Sequence, residues 1–251
     1  MRRFLASLLL LIAPFAAAQD ATQIAAFDHG RFEDAAFAGE QTESADQYAF
    51  RARALLADAM CQNTQPSNDF LKAPEEFARK ALEMDPDHVE AKIQLAITLS
   101  LYARPLSSKE ALQTGHGSKA KKLVKSALKA DPGNAYAHGF MAVWNIEVVR
   151  RGGSFGASVM GASVNNARRH YAKAVETLPY DASLHWQYAR ALAALNPKKY
   201  RKDIDRALEY AQVSPIDNHL EQVMAERADE LRDRLSSSSR ADIAEWANEM
   251  L

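Results

Sequence analysis

The sequence has 251 residues, 25% of them charged, and its 31 basic and 32 acidic residues give a formal net charge of −1. This near balance provides no general attraction to nucleic acid or to anionic lipid. The single cysteine, Cys61, excludes an intrachain disulfide, so a packed core has to stabilise the chain, and we expect Cys61 to be a buried apolar residue within it.

The first residues have the pattern of a secretory signal peptide. Arg2 and Arg3 form a basic start, an apolar run covers 4–15, and Ala16-Ala17-Ala18 is a small-residue cleavage site. The run is shorter than the roughly 20 residues that a spanning helix needs. We therefore expect residues 1–18 to be removed after Ala18, leaving a periplasmic or secreted protein with no integral membrane segment.

Apolar and small residues recur at helical spacing through the rest of the chain, as in Phe77, Ala78, Ala81 and Leu82. No run shows the sustained alternation of a strand, so the sequence predicts essentially no β-structure. The predicted helices cover 21–29, 31–39, 44–61, 69–85, 87–104, 118–131, 133–151, 163–178, 181–195, 197–213, 217–235 and 239–250.

Three segments align without gaps, and each contains a helix, a proline stop and a second helix. They read EEFARKALEMDPDHVEAKIQLA, KKLVKSALKADPGNAYAHGFMA and RRHYAKAVETLPYDASLHWQYA. The stops are Pro86, Pro132 and Pro179, because proline cannot continue a helix and disfavours helical geometry in the residue before it. This spacing predicts a chain built from repeated helix pairs.

These segments resemble the tetratricopeptide repeat (TPR), a helix-turn-helix unit of about 34 residues. The positions that match its second helix are Ala78, Ala81, Pro86, Ala120, Val124, Ala127, Pro132, Ala167, Tyr171, Ala174 and Pro179. Those that match its first helix are Leu95, Ala96, Leu99, Met141, Ala142, Tyr188, Ala189 and Leu192. Lys92, His138 and His185 stand where the family usually has Trp, so the copies are degenerate.

Gly30-Arg31-Phe32 with Ala35 resembles a further, shortened copy near the N-terminus. The resemblance covers most of 21–215 and is shared with exported bacterial proteins that carry degenerate repeats. It implies an all-α, TPR-like solenoid of antiparallel helix pairs over 19–235. We expect 236–251 to form a linker, beginning with Ser236 to Ser239, and a capping helix that hides the apolar face of the last repeat.

The residues in excess of a standard unit lie between the first and second helix of two successive copies. The first insertion covers Arg104–Gly117 and the second covers Arg151–Asn166. Because a solenoid places equivalent turns side by side, we expect the two insertions to touch and to cover the helix end that bears Trp144 and Glu147. Ser107-x-x-Glu110 predicts a capping box in the first insertion.

The second insertion, rich in Gly, Ala and Ser, resembles two catalytic loops only superficially. Gly156-x-x-x-x-Gly161 is not followed by the Lys of a phosphate-binding loop. Gly156-Ala157-Ser158 lacks the second glycine and the preceding strand of a nucleophile elbow. We interpret the insertion as a packed connection that braces the repeats, with a binding edge as the alternative, and expect Gly152-Gly153 to end the helix of Trp144.

The candidate binding residues lie around one end of that helix. Trp144 and Glu147 are three residues apart on it, and Glu147 can reach Arg150 or Arg151. His116 and Ser118 stand at a helix start, where free N–H groups favour an anion. The alternative is that Ser118 is only an N-cap and that His116 is solvated.

The histidines show no HExxH pattern and no pair four residues apart, and the sequence offers no catalytic residue, metal ligand or cofactor site. We therefore expect a non-enzymatic protein that binds a protein or peptide as a scaffold or adaptor in the cell envelope. The alternative is a small-ligand binding protein auxiliary to a solute transporter. An enclosed pocket between Trp144, His116 and the insertions would favour the small ligand.

Overall fold

The computed structural model describes residues 21–37, 43–62 and 65–251, and the regular structure in these ranges is entirely helical, as predicted. The expected signal peptide at 1–18 lies outside the described residues. In the described part of the chain, no helix is both long enough and apolar enough to cross a membrane. The helices are α1 Ala21–Asp28, α2 Phe32–Phe37, α3 Ala45–Cys61, α4 Asn68–Met84, α5 Val89–Ala103, α6 Ser108–Thr114, α7 His116–Ala130, α8 Ala135–Met160, α9 Val164–Thr177, α10 Ala182–Leu195, α11 Arg201–Val213, α12 His219–Ser237 and α13 Arg240–Glu249.

Helices that follow one another in the chain pack against each other through small residues. Helix α3 packs on α4, α5 on α7, α8 on α9, and α10 on α11. The alanines that marked the aligned segments have no exposed surface, and they include Ala78, Ala81, Ala120, Ala127, Ala167 and Ala174. A methyl side chain lets two backbones approach closely, which explains why the pattern repeats alanine at these positions.

The turns that join the aligned helices are built in the same way three times. Helices α5, α8 and α10 have N-caps His88, Asn134 and Asp181, whose side chains each accept a hydrogen bond from the backbone N–H three residues on. These caps satisfy one of the free N–H groups at each helix start. The turns therefore repeat in hydrogen bonding as well as in sequence.

Buried histidines at equivalent positions of the second and third aligned segments bind the backbone of these turns. His138 Nε2 donates to the carbonyl oxygen of Pro132 over 3.0 Å, and His185 Nε2 donates to that of Pro179 over 2.9 Å. Since a carbonyl can only accept, both neutral rings carry their proton on Nε2. In the first copy Lys92 takes this place, and its Nζ binds the Asp87 carboxylate of the turn over 2.9 Å.

The C-terminal helices reach back to the first half of the chain, a contact that the sequence did not predict. Helix α13 packs on α10 and α12, and Leu251 joins a buried cluster with Leu56, Leu71 and Leu101. From α12, the Arg227 guanidinium donates to the carbonyl oxygens of the last residues of α3. The final helix therefore binds distant parts of the chain as well as its neighbours.

The predicted serine linker is shorter than expected. Helix α12 continues through Ser237, and the hydroxyls of Ser236 and Ser237 donate to carbonyl oxygens one turn earlier. Ser238 and Ser239 are the two residues between the helices, and Ser239 is the N-cap of α13. The first half of the serine run is helical because serine can satisfy its hydroxyl on the helix backbone.

Both insertions contain helix. The first forms α6, and the predicted capping box of Ser107 and Glu110 is confirmed. The helix of Trp144 ends at Gly152-Gly153, as predicted, because Gly153 is non-helical, with a φ of 57° and a ψ of −157°. A second helical segment of α8 follows this break and extends to Met160. Gly161, in the left-handed conformation, ends it.

Substitutions of two glycines three residues apart test the break in α8. Added methyl groups at Gly153 and Gly156 would both meet open space, so only the backbone conformation distinguishes the two positions. We expect Gly153→Ala to destabilise 154–160 by about 1–3 kcal/mol, and Gly156→Ala to stabilise the same segment by up to about 1 kcal/mol. Hydrogen exchange of 154–160 measures both changes, and equal effects of the two variants would contradict the break.

Candidate functional site

Trp144 is an internal brace between α7 and α8. Its side chain is 6% exposed, and its indole Nε1 donates to the carbonyl oxygen of Gly117 over 3.1 Å. The ammonium of Lys121 lies 4.7 Å from the centre of the ring, in cation–π contact. The indole points into the packed start of α7, as expected for a helix end that the insertions cover, whereas Glu147 binds the arginines described below.

The two insertions touch, as predicted. Ser108 Oγ, from the first, donates to the Arg151 carbonyl oxygen over 2.8 Å. The Arg151 guanidinium donates in return to the carbonyl oxygens of Ala103 and Leu106. Arg151 therefore binds the backbone that leads into α6, and it forms no ion pair with Glu147.

The second insertion ends against the first turn of α7. Lys121 Nζ donates to the Met160 carbonyl oxygen over 2.6 Å, and Ser118 Oγ lies 3.7 Å from Met160 Sδ. Ser118 is the third residue of α7, whose N-cap is Gly115, so the prediction of Ser118 as an N-cap was wrong. The left-handed conformation of Gly115 lets α7 begin two residues earlier than expected.

His116 is half-buried, which corrects the expectation of a solvated ring. It stacks on Tyr102, with ring centroids 5.8 Å apart and an angle of 23° between the planes. Burial lowers the pKa of His116 below its usual value, and the neighbouring Lys119 adds to the effect. The ring is therefore neutral near pH 7 and packs as an aromatic surface.

Glu147 is the centre of an arginine cluster. Its Oε2 accepts from Nε and Nη2 of Arg150 over 2.9 and 2.7 Å, which confirms this predicted pair, and its Oε1 accepts from Arg190 over 3.4 Å. Arg190 is 5% exposed and was missed, because it lies in another repeat and no local pattern connects it to Glu147. Burial alone would raise the pKa of Glu147, but Arg190, Arg150 and Arg104 hold it below its usual value.

The arginines of the cluster bind the end of α13. Arg104 Nη2 donates to the carbonyl oxygens of Asn248 and Met250 over 2.5 and 2.6 Å, and Arg190 Nη1 donates to that of Ala247 over 3.2 Å. The last carbonyls of a helix have no partner within it and carry partial negative charge. Glu147 thus binds Arg190 directly and supplies negative charge near Arg104, and these two guanidiniums join α10 and the end of α5 to α13.

Trp144 packs in one hydrophobic cluster with Ala162 and the half-buried Met160 of the second insertion. Two surface depressions lie elsewhere, on α4 and on the segment leading into it. One of 210 Å³ is lined by Gln62, Gln65 and Phe70, among others, and one of 300 Å³ lies along the charged face of α4 between Lys72 and Glu83. Neither adjoins the candidate binding residues.

Cys61 is half-buried, at the end of α3, and less enclosed than the sequence led us to expect. Burial raises the pKa of its thiol to about 11, despite the opposing charge of Arg227. The thiolate is therefore scarce near neutral pH, which disfavours a nucleophilic role.

Large apolar side chains are exposed on both insertions. Phe155 is 77% exposed and Val159 is 58% exposed, and they lie one turn apart on the resumed part of α8. Leu112, on α6, is 55% exposed, and no side chain of α6 is buried. The insertions are thus braced at Arg151 and Met160 while these three side chains face solvent.

Comparison with known proteins identifies one family. A family model described as regulator of microtubule dynamics protein 1-3 matches residues 40–236, which is most of the chain. No curated protein matches the chain.

Truncation of Trp144 tests its role as a brace. We expect Trp144→Ala to lower the free energy of unfolding by about 3–5 kcal/mol, as for a large buried aromatic. Trp144→Phe keeps most of the packing and loses the hydrogen bond to Gly117, so its cost is about 1 kcal/mol. Chemical denaturation measures both, and an alanine variant as stable as the parent would instead indicate a ligand-facing indole.

Proposed function

We propose, from the finding that the chain belongs to the regulator of microtubule dynamics protein 1-3 family, that it is a non-catalytic protein that binds a protein or peptide partner. The family description names the regulation of microtubule dynamics, a process of association between proteins. We transfer only the class of function from that description. The nature of the partner is inferred from the surfaces of this chain.

The proposed architecture is a TPR-like solenoid of antiparallel helix pairs. Support comes from the three turns with equivalent N-caps and from His138 and His185, which bind equivalent proline carbonyls. The α1–α2 pair, turning at Gly30 with a φ of 74°, fits the shortened first copy. Such a stack presents side chains from successive repeats on continuous surfaces, which suits a scaffold.

The exposure of Phe155, Val159 and Leu112 is the observation that carries the proposal. Apolar side chains grouped on a surface mark sites of protein association more often than they serve the fold. A small ligand would instead need an enclosed cavity lined by a few polar groups. Trp144 is packed against α7, and neither surface depression described above adjoins the candidate residues, which makes the transporter-auxiliary alternative the weaker one.

The proposed location is the periplasm or the exterior, with cleavage after Ala18. The basic start, the short apolar run and the small-residue site of 1–18 support it. Together with the exposed edge, this suggests an adaptor in envelope assembly or transport.

Covalent capture from the extracytoplasmic fraction of the native cell tests the partner-binding function. Phe155→Ser with Val159→Ser should abolish capture of a protein that the parent retains, because the edge loses its apolar surface. The control is Val213→Ser with Ile216→Ser, which removes similarly exposed side chains at the end of α11 and beyond it. Mass spectrometry identifies the species, and the melting temperature checks the fold of each variant.

The proposal fails if no captured protein depends on Phe155 and Val159. It also fails in favour of the small-ligand alternative if a metabolite copurifies with the parent chain and is lost from a Trp144→Phe variant that remains folded.

A further inference from the structure

The partner's chemistry can be inferred from the charges beside the exposed insertions. We propose that the insertion edge, defined as Leu112, Phe155, Val159 and Met160, continues into the lysine row of Lys122, Lys125 and Lys129, and that this combined surface binds an acidic, amphipathic helical segment of a partner protein. This inference rests on the partner-binding function and adds to it the charge and the shape of the partner.

The lysine row begins where the insertion edge ends. Positions 118, 122, 125 and 129 are separated by four, three and four residues, so they share one face of α7. Ser118, at the head of this face, contacts Met160. At 1.5 Å per residue the face extends about 16 Å along α7 from this contact with Met160, which is the last residue of the helical segment that carries Phe155 and Val159.

The lysines of the row form no salt bridge within the described part of the chain. Lys122, Lys125 and Lys129 are exposed, and only Lys129 lies near a carboxylate, that of Asp87, whose pKa is lowered mainly by Lys92 and also by Lys129. The sequence has no acidic residue between Glu110 and Asp131, and none between Glu147 and Glu176. On α12, by contrast, Asp229 and Glu230 form ion pairs with Arg232 and Arg234.

Complementary charge and spacing favour an acidic helix as the occupant. Carboxylates three and four residues apart lie on one face of a helix at the same spacing as the lysines of α7. An apolar residue at one end of that helix could then contact Phe155 and Val159, as amphipathic helices do when they bind a groove.

A lipid surface fits this strip less well. Interfacial helices bury a wide apolar face, whereas the resumed part of α8 presents Phe155 and Val159 beside the exposed Ser154 and Ser158. Nucleic acid also fits less well, because the row has no exposed aromatic side chain between its lysines on which a base could stack.

Fluorescence anisotropy with the full chain tests the inference. The probe is a labelled synthetic helix of about 20 residues, with Glu at i, i+4 and i+7 and Leu at one end. The comparison probe has Lys in place of every Glu. We expect the acidic probe alone to bind, with an affinity that falls as the salt concentration rises.

Matched variants locate the binding. Lys122→Gln with Lys125→Gln should weaken binding of the acidic probe about tenfold, and Phe155→Ser should weaken it by a similar factor. The control, Lys198→Gln with Lys202→Gln, removes two exposed charges at the start of α11 and should change the affinity less than about twofold. All variants should keep the parent's melting temperature, since none of these side chains is buried.

Several results would overturn the inference. Equal weakening by the control pair would mean unspecific attraction, and binding of vesicles containing an anionic lipid without binding of the peptide would mean a membrane partner. If a captured protein depends on Phe155 but not on Lys122 and Lys125, the partner-binding function stands and the acidic partner is rejected.

Discussion

The ionised carboxylate of Glu147 among arginines is the interaction on which the arrangement of distant helices depends. Arg190 and Arg104 use their guanidiniums to bind the last carbonyls of α13, and Glu147 supplies the negative charge that makes their burial tolerable. Arg190 is buried and Glu147 is half-buried, so removing Glu147 leaves the Arg190 charge without its carboxylate, which costs more than the loss of an exposed pair. The contact joins α5, α8 and α10 to the end of the chain, so neighbouring helix pairs are held together by more than their shared alanines.

The contact of α13 with the arginine cluster determines which surfaces remain exposed to a partner. Helix α13 covers the face formed by the arginine cluster, and Met250 and Leu251 extend this contact towards α3, α4 and α5. The insertions are fixed at Arg151 and Met160, yet Phe155, Val159 and Leu112 face outwards. Because these contacts hold the insertions in place before a partner binds, little conformational entropy is lost when the exposed apolar side chains contact it.

The sequence predicted most helices and the contact between the insertions, because periodic apolar residues, capping residues and proline stops act locally. It failed where the decisive partner was distant. Trp144 was expected to be covered by the insertions, but its hydrogen bond to the Gly117 carbonyl had no local signal because Gly117 belongs to another helix. Arg190 had no local signal at all, whereas the break at Gly153 followed from the predicted Gly152-Gly153 stop. The linker was predicted too long, because composition does not show that the hydroxyls of Ser236 and Ser237 bond to the helix backbone.

Hydrogen exchange of the Glu147→Gln variant, read helix by helix, tests the central role of the cluster most directly. Without the charge of Glu147, the guanidiniums should bind α13 less firmly, and exchange in α13 should accelerate about tenfold or more while α9 and α11 change little. Glu230→Gln, which removes one exposed partner of an ion pair on α12, is the control and should leave the exchange of α13 nearly unchanged. Protection of α13 that is the same in Glu147→Gln as in the parent chain would contradict the account.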